Sequence, residues 1–287
     1  MLGLLGDEWT LLVMQQSLLG ATRFGDFKAR LPVSNSVMTA RLRALTDEGL
    51  LDRREYHTRP SRFEYPPTTR GRSLWPVLVS IWEWERRWVP DHATPLPRMQ
   101  HLECGDECSP VVTCRACGSD VGAEDVVAHW GPSGSWSRSV PPSSTRRRSE
   151  SAAAGLFPQT MSVMGNRWGF ALLVAGLVGI RRFSDFQSQL GAPPGSVADR
   201  LSILTANEVF DAADNRYRPT EKGYALFAVV ITALQWAQRW YEAPDGPAVV
   251  VEHPSCGHRF TAVLTCDRCR RALRGTTISV VSTPESD

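Results

Sequence analysis

The chain has 287 residues, a net charge of +2 and 42 % hydrophobic residues, which fits two ordinary domains that each bury a core and gives no electrostatic signature of nucleic acid. Its longest apolar run, residues 170–180, is about half of the ~20 residues that cross a bilayer, and no basic, apolar, cleavable leader opens it, so a cytoplasmic protein without a membrane partner is expected. Disulfides are rare there, and the seven cysteines point to metal or redox chemistry.

In chain order, residues 9–19 have helical apolar spacing. Residues 24–29 form a short helix with Phe24 and Phe27 on one side. Pro32 excludes the helical conformation of its neighbour, so residues 31–33 are a turn. Ser34 or Asn35 caps the next helix, where Met38, Leu42 and Leu45 fall at i, i+4, i+7 and face the core. Thr39, Ala40 and Arg43 then face out. Gly49 ends the helix where a positive φ is useful. Two β-like stretches, residues 50–56 and 62–66, surround a turn at Pro60-Ser61. Residues 71–88 read as one long helix.

The chain then repeats itself. Arg23-Phe24-Gly25-Asp26-Phe27 returns as Arg182-Phe183-Ser184-Asp185-Phe186, an offset of 159; after a seven-residue deletion, Tyr65, Thr68, Gly71, Trp84 and Trp88 return at an offset of 152 as Tyr217, Thr220, Gly223, Trp236 and Trp240. His101, Cys104, Cys114 and Cys117 return as His253, Cys256, Cys266 and Cys269. One domain has been duplicated. The expected organisation is copy one at 1–90, a Cys/His module at 101–129, a Ser-, Pro- and Gly-rich flexible linker at 130–150, copy two at 151–242 and a second module at 250–276. The fold class is mainly α with small β-hairpins (α+β): two winged helix-turn-helix domains, each with a short C-terminal Cys/His β module.

Leu5-Gly6-Asp7-Glu8-Trp9, Arg23-Phe24-Gly25-Asp26-Phe27, residues 38–51, Phe63-Glu64-Tyr65 and Thr69-Arg70-Gly71-Arg72 together resemble the HxlR-type, MarR-related bacterial transcriptional regulators. The resemblance covers nearly all of copy one and most of copy two. It implies a winged helix, binding to double-stranded DNA and control of transcription, more often repression, usually as a dimer, with a small-molecule effector possible. It also implies a leading helix, which residues 152–163 supply in copy two.

A recognition helix reads base edges with its N-terminal, outward residues. In copy one these are Asn35, Ser36, Thr39 and Arg43, of types that suit adenine, guanine and phosphate; Ser34 is assigned to capping. Arg59 and Arg62, beside the wing turn, are expected in the minor groove, whereas Arg53 and Arg54 could equally be solvated strand charges. Of the 32 cationic residues only Lys28 and Lys222 are lysines; arginine favours bidentate contacts to phosphate and guanine, although codon bias gives the same excess. Copy two has a degenerate wing, with Asp199 for Ala40, Ser202 for Arg43, and Asp211 and Asp214 in the shortened hairpin. Each change weakens attraction to a polyanion; Arg181, Arg182, Arg216 and Arg218 leave a backbone-only role. Copy two is therefore expected to be a pseudo-dimer partner or effector-responsive domain, with a homodimer of the whole chain also open.

Each Cys/His module reads His-x2-Cys, nine residues, Cys-x2-Cys, spacing that suits tetrahedral Zn²⁺, up to two ions in all. The ligands are His101, Cys104, Cys114 and Cys117, then His253, Cys256, Cys266 and Cys269; Cys108 and His258 compete with the histidines for the fourth place. No catalytic motif is present, and no enzyme is expected. The competing function is a zinc-containing protein-interaction scaffold with little DNA binding.

Overall fold

The structure, a computed structural model, describes residues 7–90, 92, 96–135, 157–165 and 167–281. Most of the expected linker (136–150) and the first part of the expected leading helix (152–156) lie outside the described residues.

Copy one begins with α1 (Glu8–Leu18), capped by Asp7, whose carboxylate accepts from the Thr10 N–H at 2.8 Å. The same carboxylate pairs with Arg41 at 2.6 Å, so one acidic side chain starts α1 and ties it to a later helix. In α2 (Phe24–Arg30), Asp26 accepts from the backbone N–H of Arg23 and Thr22 at 2.9 and 3.2 Å; those two bonds hold its carboxyl below the ordinary value. Helix α3 (Asn35–Asp47) is capped by Ser34, whose Oγ accepts from the Val37 N–H at 3.3 Å. Met38, Leu42 and Leu45 are buried against α1 and α2 while Thr39, Ala40 and Arg43 are exposed. Gly49 takes the left-handed conformation, φ 67°, just beyond it.

The wing is an antiparallel hairpin, β1 (Arg54–Thr58) with β2 (Ser61–Glu64). It starts further from the core than the apolar pattern predicts. Leu50 and Leu51 are both 1 % exposed, and Leu51 makes only an isolated bridge to Pro67; burial, not strand pairing, accounts for those two residues.

The helix expected over residues 71–88 is two helices, α4 (Thr69–Arg72) and α5 (Trp75–Trp88). Pro76 lacks the N–H that would continue the ladder, and its ring would meet the carbonyl of residue 72. Copy two breaks at the same place with Ala228 there, so the break belongs to the fold and Pro76 accommodates it. Gly71 is required beside this break. A Cβ on it would lie 2.1 Å from the Leu50 carbonyl oxygen, and one on Gly223 would lie 2.2 Å from that of Val209. This close backbone approach explains why the glycine occurs in both copies.

Copy two follows as α6 (Pro158–Met164), α7 (Arg167–Leu177), α8 (Phe183–Leu190), α9 (Pro194–Ala206), β6 (Phe210–Ala213), β7 (Arg216–Pro219), α10 (Glu221–Ala225) and α11 (Phe227–Trp240). Its wing closes through Asp214 and Asn215, φ 52° and 57°, the two-residue turn that suits a tight hairpin.

The Cys/His segments form β3 (Arg98–His101), β4 (Pro110–Cys114) and β5 (Val127–Trp130) after copy one. After copy two they form β8 (Val249–His253), β9 (His258–Arg259), β10 (Ala262–Cys266) and β11 (Ile278–Val281). They are not two separate modules. β3 pairs with β11, β4 with β10 and β5 with β8, all antiparallel and all between copies; β8 also pairs with β9. Val112 stands opposite Leu264, its own counterpart at offset 152, which places a pseudo-two-fold axis between them and makes the contact isologous. The expected linker also starts late. The Gly131 N–H donates to the Ala248 carbonyl at 2.9 Å.

The same axis relates the long helices, α5 and α11, which pack together. The Trp84 indole N–H donates to the Lys222 carbonyl at 2.9 Å, and the Trp236 indole N–H points to the Arg70 carbonyl at 3.3 Å. Residues 70 and 222 are counterparts, as are 84 and 236, so the contact recurs in the opposite sense, although the Trp236 N–H lies closer to Ser73 Oγ, at 3.1 Å. The repeated tryptophans are therefore both core and contact between copies. No helix among the described residues is long and apolar enough to cross a membrane.

Candidate nucleic-acid interface and metal centres

On copy one, Asn35, Ser36, Thr39, Arg43 and Asp47 line one open face of α3. All five are exposed, and α3 is anchored from behind by its three buried residues and by Arg41. Asp47, four residues beyond Arg43, belongs to the same face. It lies 3.7 Å from Arg43, close enough to hold that guanidinium along the helix until a stronger anion displaces it. A helical i, i+4 pair this exposed contributes only about 0.3–0.5 kcal/mol, so Arg43 is readily released.

In the wing, Arg53 lies 3.5 Å over the Phe63 ring and Arg54 pairs with Asp52 at 2.9 Å. Arg59 and Arg62 are exposed at the hairpin tip, and no ion pair among the described residues involves either. The hairpin thus separates its arginines into two that are engaged within copy one and two that present their charge outward. Both lysines serve the scaffold: Lys28 donates to the Val33 carbonyl, and Lys222 is buried, 5.8 Å over the Trp84 ring and 3.8 Å from Glu208.

Copy two presents a different face. Helix α9 has no side-chain cap, Pro193 standing at its N-cap. Asp199 is exposed and pairs with Arg200 at 2.6 Å, Ser202 is exposed, and Asp211 and Asp214 are exposed on the hairpin. Arg182, Arg216 and Arg218 gather beside Asp214 on one surface. Arg181 does not join them, because its guanidinium donates to the Gly176 and Ile180 carbonyls.

The Cys/His residues assemble in an arrangement that local spacing does not reveal. One cluster is His101, Cys104, Cys266 and Cys269; the other is Cys114, Cys117, His253 and Cys256. Each takes its His-x2-Cys pair from one copy and its Cys-x2-Cys pair from the other. The sets grouped within a single module, His101 with Cys114 and Cys117 or His253 with Cys266 and Cys269, are not brought together. The interleaved strands are the physical reason, since they carry each Cys-x2-Cys turn to the opposite copy's histidine. Cys108 and His258, the competing fourth ligands, belong to neither cluster.

The geometry fits a tetrahedral ion. His101 Nδ1 lies 3.4 Å from Cys104 Sγ and 3.3 Å from Cys269 Sγ, and Cys104 Sγ lies 3.9 Å from Cys266 Sγ. In the second cluster His253 Nδ1 lies 3.3 Å from Cys256 Sγ and 3.5 Å from Cys117 Sγ, with Cys114 and Cys256 sulfurs 4.0 Å apart. A tetrahedron with Zn–S of about 2.3 Å and Zn–N of about 2.0 Å has edges of roughly 3.8 Å between sulfurs and 3.5 Å between sulfur and nitrogen. Sulfurs about 4 Å apart are far outside the ~2.05 Å of a disulfide. His101 is fully buried and its Nε2 has no hydrogen-bond partner, so its Nδ1 is the ring atom committed to the cluster. Hydrogen bonds from the Ser119 side chain and backbone hold the Cys117 thiol down to about 6. Burial, then the neighbouring Cys266, push Cys108 up to about 12, which keeps it a neutral thiol beside the first cluster. Phe260, at the Cys108 position of copy two, instead packs against Phe227 and His253.

Two further residues escape a reading by motif. Glu85 is fully buried between the copies, where it accepts from the Thr160 N–H at 2.6 Å at the start of α6 and lies 3.5 Å from His92. The Tyr241 hydroxyl donates to Glu48, the residue that ends α3, at 2.9 Å.

Comparison with known proteins gives one answer for both copies. The HxlR-like helix-turn-helix family matches residues 4–93 and 163–245. Uncharacterized HTH-type transcriptional regulators Rv3095 of Mycobacterium tuberculosis and Mb3122 of Mycobacterium bovis are each 34 % identical over 131 residues, which is 46 % of this chain and 83 % of the relative. An uncharacterized HTH-type transcriptional regulator of Bacillus subtilis, YvaP, is 36 % identical over 87 residues, 30 % of this chain and 81 % of the relative. Less than half of this chain accounts for most of each relative, the proportion expected of a duplicated domain. The chain belongs to the HxlR-like helix-turn-helix family, twice over.

Proposed function

We propose that this HxlR-family chain is a cytoplasmic, sequence-specific DNA-binding transcriptional regulator in which copy one reads DNA and copy two replaces the second subunit of a dimer. The observation that carries it is the contrast between the two recognition surfaces. Copy one offers Asn35, Ser36, Thr39 and Arg43 on one exposed helix face, with Arg59 and Arg62 outside any ion pair among the described residues. Copy two offers Asp199, already paired with Arg200, and two wing aspartates. A polyanion is drawn to the first; on the second, Arg182, Arg216 and Arg218 are offset by Asp211 and Asp214, which leaves at most a contact to the DNA backbone. In this arrangement α3 enters the major groove, Arg43 and Asn35 address base edges, Thr39 and Ser36 address bases or phosphate, and the wing arginines enter the minor groove. Repression is the sign that the family resemblance implies.

We propose zinc as the resident ion of both clusters, since three thiolates and one imidazole in a closed tetrahedron suit Zn²⁺. Four protein ligands leave no open position for catalysis, so the ion would supply folding energy, apparent values being about 10–16 kcal/mol for structural zinc. The test is a selection of bound fragments from genomic DNA. A single enriched motif, lost when Arg59 and Arg62 are changed to Ala, supports this function. No enrichment by the metal-loaded protein overturns it and leaves a protein-interaction scaffold.

A further inference from the structure

Each Cys/His cluster is completed only where the copies meet. Copy one supplies His101 and Cys104 to the first and Cys114 and Cys117 to the second; copy two supplies the other half of each. The strands around them cross between copies in the same way. Either copy alone offers only two-ligand turns, and a four-ligand cage exists only in the paired form. The clusters also place buried polar atoms close together. His101, Cys114, His253 and Cys266 are all buried, an arrangement that an ion bound at the two His Nδ1 atoms and the facing sulfurs would stabilise. The reading surface is coupled to this contact. Tyr241 of copy two holds Glu48 at the end of α3, and Arg70 lies 4.3 Å over the Tyr241 ring. The counterpart of Tyr241 in copy one is Val89, which has no hydroxyl, so this strut runs in one direction only.

We infer that the two ions form a clasp between the copies, so that metal occupancy governs the paired arrangement in which α3 is presented to DNA. With both clusters filled, two cross-links add to the α5–α11 contact and fix its rotation. With both empty, the Cys/His end opens, the strut to Glu48 loosens and DNA is released. The DNA arm of this inference rests on the function proposed above; the crossed ligation does not.

Metal content of the full-length protein tests the crossing directly. The unmodified chain is expected to hold two Zn²⁺. Cys104→Ser with Cys269→Ser removes ligands from one cluster but from both copies, and one ion should remain. Cys104→Ser with Cys114→Ser removes ligands from one copy but from both clusters, and no ion should remain. The reverse pattern, none in the first variant and one in the second, overturns the crossing, as does an unmodified chain that takes up no zinc. The first variant leaves one cluster whole and decides the question by itself if circular dichroism shows that the second has not folded. For the clasp, unmodified protein stripped of metal should lose DNA affinity at least about tenfold, within the usual range for coupled sites, and regain it on addition of Zn²⁺ alone. Unchanged affinity after complete stripping overturns the control of DNA binding. A metal-loaded protein that binds no DNA sinks the proposed function, while the two stoichiometries still decide the crossing.

Discussion

The hydroxyl of Tyr241 reaches across from copy two to Glu48, the residue that caps the C-terminus of α3 in copy one, at 2.9 Å. Burial, then the Glu48 carboxylate, push the Tyr241 hydroxyl up to about 12, so it remains a donor across the physiological range. Tyr241→Phe removes the donor with little change of shape. A charge-assisted hydrogen bond of this kind is worth about 1.5–3 kcal/mol when well buried and less when partly exposed. DNA affinity is expected to fall a few-fold in a mobility-shift titration, although Tyr241 lies off the reading face. The same loss on Glu48→Gln, with no further loss in the double variant, identifies the pair as the cause.

Arg43→Ala should cost about 1–3 kcal/mol of binding and relax preference at one base pair. Asp199→Ala on the counterpart helix should change affinity by less than about 0.5 kcal/mol, the usual range for surface substitutions away from a site. Comparable losses at both positions, in competition assays with scrambled DNA, would show that both copies read.

Changing Arg59 and Arg62 together to Ala should lower the dependence of affinity on salt. For every phosphate that the protein no longer neutralises, the slope of log K against log[salt] becomes shallower by about 0.9. A slope that matches the unmodified protein would remove the wing from the interface.

Glu85 gives a pH signature of the contact between copies. Burial raises its carboxyl above the ordinary value, with the Thr160 hydrogen bonds and His92 opposing. An acid with a raised folded value contributes stability below its unfolded value and loses it as pH rises through the folded one. Glu85→Gln keeps an acceptor for the Thr160 N–H and cannot ionise. Melting temperatures of the two proteins should therefore agree at acid pH and separate in favour of the variant as pH rises above the ordinary carboxylate range. A constant difference between them at every pH would remove ionisation of Glu85 as the cause.

Gly71→Ala and Gly223→Ala should each destabilise by about 1–3 kcal/mol, the usual cost of overpacking, because the added methyl meets a backbone carbonyl that cannot rotate away. Gly25→Ala, where a Cβ meets nothing within 4 Å, is the control in the same denaturant titration.

Much of the winged helix was legible because its signals are local. Met38, Leu42 and Leu45 mark the buried side of α3 by spacing, Ser34 caps it and Gly49 ends it. The wing strands were less legible, because Leu50 and Leu51 carry a strand-like pattern for reasons of burial. The ligand residues were visible as His-x2-Cys and Cys-x2-Cys, yet which pairs join was not. Two-residue spacing fixes half of a tetrahedron, and the other half is delivered by strands that pair between the copies. Glu85 was silent for a similar reason. Its near-chain partner His92 carries no motif, and Thr160 becomes a partner only once α6 lies against α5.

The pairing of β4 with β10 about Val112 and Leu264 joins two parts of one molecule. An ordinary dimer assembles at a rate and to an extent set by its abundance. Here the two copies belong to one chain, so the local concentration of one around the other does not change with the amount of protein. Occupancy of a target should thus rise in proportion to the amount of protein, not to its square. Refolding should proceed at the same rate in dilute and concentrated solution, and a cell could run such a switch on very few copies.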